Sequence, residues 1–189
     1  MPLKRSRPQT ESKFKDAVLD LVAESGCGAL GVNAVAQKAG ADKVLIYRYF
    51  GDLDGLLQTV ADQQSWLPSI DELVESIQFS AQDVADYLSM LFNTIVEHIR
   101  SEASTLQIIR WRKASSNPLT HHFTQEWQAL WGELPSRITE ELDEAAQTAW
   151  KHACALMSLL VEAELNDEQV DLNCIHVFAN DLPPLKVDA

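Results

Sequence analysis

The sequence predicts an all-α protein with an amino-terminal three-helix domain and a longer carboxyl-terminal helical domain. Apolar residues recur every three or four positions along nearly the whole chain of 189 residues, which is the period of an amphipathic helix. The alternation of apolar and polar residues that is typical of a strand does not occur. Near the amino terminus, a turn of about three residues separates two short helical patterns, which indicates a helix-turn-helix unit.

The first helix is expected over residues 12–25. One face of this segment is apolar and consists of Phe14, Ala17, Val18, Leu21 and Val22. Gly26 follows, and glycine commonly ends a helix because its backbone adopts left-handed conformations easily. The apolar face of this helix can cover the helix-turn-helix unit, so the amino-terminal domain is predicted to be a bundle of three helices.

The second and third helices are predicted from their apolar faces and from the residues at their ends. The second begins near Val32 and stops at Gly40, where a left-handed residue is expected. The third begins at once, because Asp42 can accept hydrogen bonds from free backbone N–H groups, and it ends at Gly51. The expected buried positions are Val32, Val35, Ala36 and Ala39 in the second helix and Ile46, Tyr49 and Phe50 in the third.

The other face of the third helix bears Lys43, Val44, Tyr47 and Arg48. An ammonium group pairs with phosphate, a guanidinium can bind guanine through two hydrogen bonds, and a phenol can reach a phosphate or a base edge. Such a face suits the major groove of DNA. The spacing alone leaves a second interpretation open, in which the three helices form a packing module that binds no nucleic acid.

Residues 14–60 resemble the amino-terminal domain of the TetR family of transcriptional repressors. The shared features are an alanine-rich second helix ending in Ala-Gly, a third helix ending in Tyr-x-Tyr-Phe with Tyr47 and Tyr49, and the paired leucines Leu56 and Leu57. The resemblance implies a homodimer that binds a double-stranded DNA operator. It also implies that the carboxyl-terminal helices bind a small-molecule effector that releases the operator.

The resemblance assigns DNA contacts to individual positions. These positions are Asn33 at the start of the second helix, and Lys43, Val44, Leu45, Tyr47, Arg48 and Tyr49 in and just before the third. The chain departs from the family pattern at Gly31, where Ser or Thr is usual, at Leu45, where a small or hydroxylated residue is usual, and at Leu53, where Lys is usual. Asp42 adds an acid near the expected DNA surface. Each lost phosphate contact lowers the salt dependence of binding by about one unit, so we expect modest affinity.

A basic amino-terminal segment is the candidate for replacing the lost contacts. Residues 1–15 hold five lysines and arginines and one glutamate. A disordered arm with Lys4, Arg5 and Arg7 can reach a minor groove or flanking phosphates, and a solvated tail is an equally good interpretation.

The charge of the chain is divided unevenly. Residues 1–50 carry a net charge of +3 and residues 51–189 carry −16, which gives −13 for the whole chain. Most of the protein must therefore repel DNA, and any affinity must come from a local surface. Specific binding is favoured over general coating of nucleic acid.

Residues 1–51 are predicted to form the DNA-binding domain and residues 52–189 a regulatory and dimerisation domain. Apolar spacing in the second part predicts six helices and a loop. The helices extend from Asp52 to near Pro68, from about Ser80 to Arg100, over residues 102–113, from about Phe123 to Gly132 and Pro135, and over residues 153–163, with a loop at 115–118 and a later helix at 167–181.

The segment 153–163 is apolar on nearly every side. One stripe consists of Trp150, Cys154, Met157 and Val161, and a second consists of Leu156, Leu159, Leu160 and Ala163. A single small core cannot cover both stripes. We therefore expect a homodimer in which this helix and the one at 167–181 pack on their copies, with Trp150, Cys154, Met157, Leu160 and Val161 at the interface. A buried helix of one large domain is the alternative.

Aromatic residues suggest where an effector would bind. Five candidates could line a cavity for an apolar or aromatic ligand, namely Phe92, Trp111, Trp127, Trp131 and Met157. Ordinary core packing explains the same residues equally well. Movement of the helix at 52–64 is expected to carry the effect of the ligand to the DNA-binding domain.

Composition restricts the class of protein. The chain is 46% apolar and 23% charged, has no apolar run long enough to span a membrane, and lacks the apolar core of a secretory signal. We expect a cytoplasmic protein. Its three cysteines suit reduced thiols packed in a core, and a redox switch through Cys154 or Cys174 is the alternative.

The sequence contains no motif of an enzyme or a metal site. It has no glycine-rich phosphate loop, no nucleophile elbow and no Cys and His pairs at zinc spacing. His121 and His122 are adjacent and so point away from each other on a helix. No cofactor or metal is expected, and the alternative to a DNA-binding regulator is a helical ligand-binding or protein-interaction dimer that does not bind DNA.

Overall fold

The computed structural model describes residues 6–78 and 83–184, with side chains at 76–78 left out. The described chain is entirely helical, which confirms the predicted fold class. Besides a 3-10 turn at Cys27–Ala29, it contains α1 (Arg7–Ser25), α2 (Val32–Ala39), α3 (Val44–Phe50), α4 (Leu53–Ala61), α5 (Ile70–Gln78), α6 (Val84–Ser101), α7 (Ala103–Trp111), α8 (Pro118–Ile138), α9 (Glu144–Leu165) and α10 (Asn173–Ala179).

The helices form two compact units. The first takes in the described residues up to Trp66 together with Glu102–Thr124, and the second takes in Leu67–Ser101 and the described residues from Gln125 onward. This division differs from the predicted boundary at Gly51, because α1 packs on α4 and on α7 as well as on α2. The first unit is therefore built from two separate stretches of the chain.

Helix α1 begins five residues earlier than the sequence analysis predicts. Pro8 lies in its first turn, and the side chain of Gln9 accepts a hydrogen bond from the backbone N–H of Ser6 at 3.4 Å. Both features favour a helix start. The prediction was wrong because it followed the apolar stripe, which begins only at Phe14. Arg7 consequently lies in a helix and not in a disordered arm.

The first unit has its core between α1, α2, α3 and α4. Helix α1 buries Phe14, Ala17, Val18 and Val22. The other helices add Val35 and Ala36 from α2, Ile46 from α3, and Leu56, Leu57, Val60 and Ala61 from α4. The rings of Phe14 and Phe50 meet edge to face with centroids 6.3 Å apart. These contacts fix α3 against α1.

Helix α7 packs on the end of α1 through Trp111. Gly26 has a φ of +74°, and Gly28 follows in the 3-10 turn. A Cβ atom at Gly26 would lie 2.7 Å from Cε2 of Trp111, and one at Gly28 would lie 3.1 Å from Cη2. The indole therefore occupies the space that any side chain at Gly26 would need.

The second unit is organised around α6. This helix contacts α5, α9 and α10, and its buried residues are Tyr87, Leu88, Leu91, Phe92, Ile95, Val96 and Ile99. The rings of Tyr87 and Trp150 meet edge to face at 6.0 Å. Arg100 and Glu164 add an ion pair of 2.8 Å between α6 and α9.

Helix α5 was not predicted from the apolar spacing. Its start has a reciprocal cap in which Glu72 accepts from the backbone N–H of Ser69 at 2.9 Å and Ser69 Oγ accepts from the N–H of Glu72 at 3.2 Å. The spacing Ser-x-x-Glu is the signal that could have found it. The predicted end of the preceding helix near Pro68 was also wrong, since α4 ends at Ala61.

Helix α8 continues past the predicted stop at Gly132 and Pro135. It ends at Ile138 and holds Pro135 in its interior. Leu134 is fully buried, and Thr139 Oγ1 donates to the carbonyl oxygen of Pro135 at 2.6 Å. Leu134 before the proline and Thr139 after it are buried, and this burial offsets the backbone hydrogen bond that proline cannot donate.

The sequence also predicts a helix start near Ser80 and Asp83. Asp83 caps α6 by accepting from the N–H of Asp86 at 2.9 Å, and Ser80 lies outside the described residues.

We predict that Gly26→Ala strongly destabilises the protein. The added methyl group forces Trp111 to move and places Ala in a conformation that favours glycine, so we expect a loss of about 2 to 4 kcal/mol in the free energy of unfolding. Denaturant melts of the full chain would measure it. Gly132→Ala is the matched control, because no atom lies near its Cβ position and Ala favours a helix. Equal stability of Gly26→Ala and the unchanged protein would contradict the packing of Trp111 at this site.

Candidate nucleic-acid interface

Helices α2 and α3 are joined by a tight turn. Gly40 ends α2 in the left-handed conformation with φ +58°, and its N–H donates to Gln37 at 3.1 Å. Ala41 then donates to the carbonyl oxygen of Ala36 at 3.1 Å. Asp42 Oδ1 accepts from the N–H of Val44 at 2.9 Å and so fixes the start of α3. The acid that the sequence analysis noted near the DNA surface therefore has a structural role.

One side of α3 holds the helix in the unit. Ile46 is fully buried, and Phe50 contacts Phe14. Tyr49 is half-buried, and the guanidinium of Arg7 lies 5.0 Å from the centre of its ring. Arg7 also pairs with Glu11 at 2.6 Å. The first turn of α1 and the last turn of α3 are thus neighbours.

The other side of α3 faces solvent. Lys43 and Arg48 are exposed, Val44 is 61% exposed and Tyr47 is 52% exposed. Leu45 is half-buried. This surface combines two cations, a phenol and an apolar side chain on a helix that is anchored from behind by Ile46. Its chemistry is that of groups that contact phosphates and base edges.

Asn33 belongs to the same surface. It is exposed near the start of α2, and its Oδ1 accepts a hydrogen bond from Lys43 Nζ at 3.1 Å. The structure therefore brings together the predicted residues of both helices. We define the DNA face as the exposed residues of this unit, namely Asn33, Lys43, Val44, Tyr47 and Arg48.

The two departures from the family pattern at helix starts have visible effects. Gly31 caps α2 without a side-chain hydrogen bond. Leu53 is the half-buried first residue of α4, and the preceding residue Asp52 accepts from the N–H of Gly55 at 2.7 Å. Neither position offers a side chain that can bind phosphate. Of the predicted arm residues, Lys4 and Arg5 lie outside the described residues.

The five residues predicted to bind a ligand do not share one site. Trp111 belongs to the first unit and packs at Gly26, whereas the others belong to the second. Trp127 and Trp131 meet edge to face at 5.8 Å, and Met157 is fully buried. Phe92 lines a small cleft of about 180 Å³ between α6 and α10. The other residues lining the cleft are Ser89, Asn93, Leu172, Asn173, Ile175 and His176.

The two apolar stripes of α9 have different surroundings. Trp150, Cys154, Met157 and Val161 are fully buried in the core of the second unit, so they offer no surface to a partner. Four of the five residues predicted for a dimer interface are therefore inaccessible to a partner. The fifth, Leu160, is half-buried. The second stripe is open, with Leu156 at 48% and Leu159 at 62% exposure. The apolar spacing showed both stripes but not which one faces the core, so the residues predicted for a dimer interface were mostly those of the stripe that is buried.

No helix among the described residues is both long and apolar enough to cross a membrane. In the same residues, no three side chains of His, Cys, Asp or Glu come together as a metal site would require.

Part of the chain matches known proteins in sequence. The model of a family described as bacterial regulatory proteins, tetR family, matches residues 16–60. An uncharacterized HTH-type transcriptional regulator, YdeS of Bacillus subtilis (strain 168), is 28% identical over 107 residues, which is 52% of this chain. The chain spans about half the length of that curated relative, 54%.

Solved structures share the fold over nearly the whole chain. The hemolysin II transcriptional regulator HlyIIR matches with a TM-score of 0.61 at 14% identity, covering 97% of this chain and 100% of that one. A TetR-like transcriptional regulator from Rhodococcus sp. RHA1 matches with a TM-score of 0.57 at 12% identity, covering 94% and 95%.

Residues 16–60, which include the helix-turn-helix unit, therefore match the bacterial regulatory proteins of the tetR family. The likeness to solved regulators at 12% and 14% identity shows that the chain shares their fold.

The three cysteines differ in accessibility, and this difference can be tested. Cys27 and Cys154 are buried, and burial raises the pKa of Cys154 to about 12 and also raises the pKa of Cys27. Cys174, in contrast, is only half-buried, so a reagent can reach its thiol. Because the thiolate is the reactive form, we predict that a thiol reagent at pH 8 modifies Cys174 first and the other two only after unfolding. Cys174→Ser should remove the fast reaction. Rapid modification of Cys154 in the folded protein would contradict this and would restore it as a candidate redox switch.

Proposed function

We propose that this chain is a homodimeric repressor that binds a palindromic operator in the bacterial cytoplasm and is released by a small apolar or aromatic ligand. The observation that carries the proposal is the DNA face, where cations, a phenol and an apolar side chain are exposed on a helix whose opposite side is buried. A helix held in this way can enter a major groove without loss of its own packing.

Each residue of the DNA face has a proposed role. Arg48 can bind guanine through two hydrogen bonds, which is the commonest specific contact of arginine with a base. Lys43 binds phosphate, and its ammonium group also donates a hydrogen bond to Asn33 Oδ1 in the free protein. Tyr47 reaches a phosphate or a base edge. Leu45 and Tyr49 are half-buried and border this surface.

Arg7 is proposed to bind a phosphate beside the groove. It lies in the first turn of α1, its guanidinium is over the ring of Tyr49, and its partner Glu11 can release it to an approaching phosphate. A surface ion pair of this kind contributes only about 0 to 1 kcal/mol, so exchange of partners has a low cost. Lys4 and Arg5 are proposed to extend the same positive segment.

The dimer is proposed to form through the second stripe of α9. Leu156 and Leu159 are large and exposed, and Leu160 and Ala163 beside them are half-buried. Burying a leucine side chain fully contributes about 1.5 to 3 kcal/mol, so covering this stripe on two copies gives a substantial driving force. A two-fold axis then sets the spacing of two DNA faces for a palindromic site.

The effector is proposed to bind in the second unit. The cleft beside Phe92 offers apolar contacts from Phe92, Leu172 and Ile175, and four polar side chains line it as well, so it suits an apolar or aromatic ligand that carries polar groups. A ligand releases DNA only if it prefers one of two conformations, and the difference between its two affinities sets the loss of operator affinity. Movement of α4 remains the proposed route to the DNA face. A helical dimer that does not bind DNA is the alternative function, and the next experiment separates the two.

We predict that neutralising Lys43 and Arg48 together abolishes specific binding. The double variant Lys43→Gln, Arg48→Gln loses a phosphate contact and a guanine contact in each half-site. We expect a loss of at least about 100-fold in affinity and a smaller salt dependence. Mobility-shift titration against the promoter region beside the gene, at several salt concentrations, would measure both quantities.

The matched control is Lys113→Gln with Arg137→Gln. It removes the same charges from exposed positions outside α2 and α3, and the ion pairs of Arg137 with Asp71 and Glu140 are at the surface. We expect its affinity to stay within a few-fold of the unchanged protein. Unaltered binding by the Lys43 and Arg48 variant would overturn the proposal, and failure of the unchanged protein to retard any promoter fragment would favour the alternative.

We predict that Leu156→Glu with Leu159→Glu converts the dimer to a monomer. Two carboxylates per copy would be forced together in an apolar interface, and this arrangement is strongly unfavourable. Sedimentation equilibrium would measure the mass, and circular dichroism would show that the helices remain. Ala129→Glu, an exposed position of α8, is the control that should leave the mass unchanged. A double variant that stays dimeric would place the interface elsewhere.

A further inference from the structure

We propose that Val44 reads the methyl group of a thymine in each half-site of the operator. The inference rests on the proposed function and adds a base preference to it. Val44 and Tyr47 are the large apolar side chains of the first unit that the structure shows exposed. Tyr47 has a hydroxyl group that can make a hydrogen bond, and Val44 has none.

The exposure of Val44 has no explanation in the packing of α3. Ile46 already provides the buried anchor of the helix, and Val44 remains 61% exposed. Its backbone N–H is bound to Asp42 Oδ1 at 2.9 Å, so the position of its Cα is fixed by the turn. A β-branched side chain also has few accessible rotamers in a helix. Val44 therefore presents two methyl groups in a nearly fixed direction.

The charges around Val44 direct this apolar group toward DNA. Lys43 precedes it, Arg48 lies one turn further along the same helix, and both are exposed. The lysine is held toward α2 by Asn33. In the proposed roles, Lys43 binds a phosphate that borders the groove and Arg48 binds a guanine edge, so Val44, which lies between them on the same helix, is placed near the base edges.

The chemistry of base edges then selects thymine. In the major groove, guanine, adenine and cytosine present hydrogen-bond donors and acceptors, whereas thymine also presents a methyl group. A valine over polar atoms would remove water from them and return no hydrogen bond, which is unfavourable. A valine over the thymine methyl group buries apolar surface on both partners.

The test is a cycle between the protein side chain and the base methyl group. An operator is first selected from random duplexes with the full-length protein. Each thymine of the half-site is then replaced by deoxyuridine, which removes the methyl group and keeps base pairing. We expect one position where this replacement weakens binding about four-fold in one half-site, and about fifteen-fold in both, as follows from burial of one methyl group.

Two variants are compared with the unchanged protein. Val44→Ala should bind the thymine and deoxyuridine duplexes nearly equally, because its side chain is too short to touch the methyl group. Lys43→Gln should bind both more weakly and keep the four-fold difference, because it loses only a phosphate contact. The inference is overturned if no deoxyuridine weakens binding of the unchanged protein, or if the difference persists undiminished in Val44→Ala. If the unchanged protein selects no duplex, the proposed function itself fails.

Discussion

The buried face of α1 is the feature on which the first unit depends. Phe14, Val18 and Val22 are fully buried, and α1 packs on α2, α4 and α7. The edge of the Phe14 ring meets Phe50 at the end of α3. A change in this face would alter the position of every helix that packs on it. The orientation of α3 is therefore set by core packing and not by its exposed residues.

Because the buried residues that hold α3 differ from its exposed residues, the DNA face can vary without loss of the fold. Gly40 and Asp42 determine where α2 ends and α3 begins, and Ile46 anchors α3. The exposed positions between these fixed points make few contacts with the protein. Residues 51–189 carry a net charge of −16, so the rest of the chain offers no general attraction for a polyanion such as DNA.

Helical spacing and glycine positions were enough to predict the helix-turn-helix unit and the all-α fold. The ends of α1, α4 and α8 were predicted less well, because polar capping residues and buried contacts around Pro135 decide them. The apolar pattern of α9 showed two stripes but not which one faces the core, since that choice depends on Tyr87 and other partners distant in sequence. The contact of Arg7 with Tyr49 likewise joins residues that no local pattern connects.

The two-segment construction of the first unit affects how the protein folds during synthesis. Helices α1 to α4 leave the ribosome first, but Trp111 fills the space beside Gly26 only after about fifty more residues have been added at roughly 5 to 20 residues per second. During those seconds the nascent first unit lacks the packing of Trp111 against Gly26 and Gly28. A truncated gene product ending near Trp66 would remain in this incomplete state permanently and would be a natural substrate for proteases.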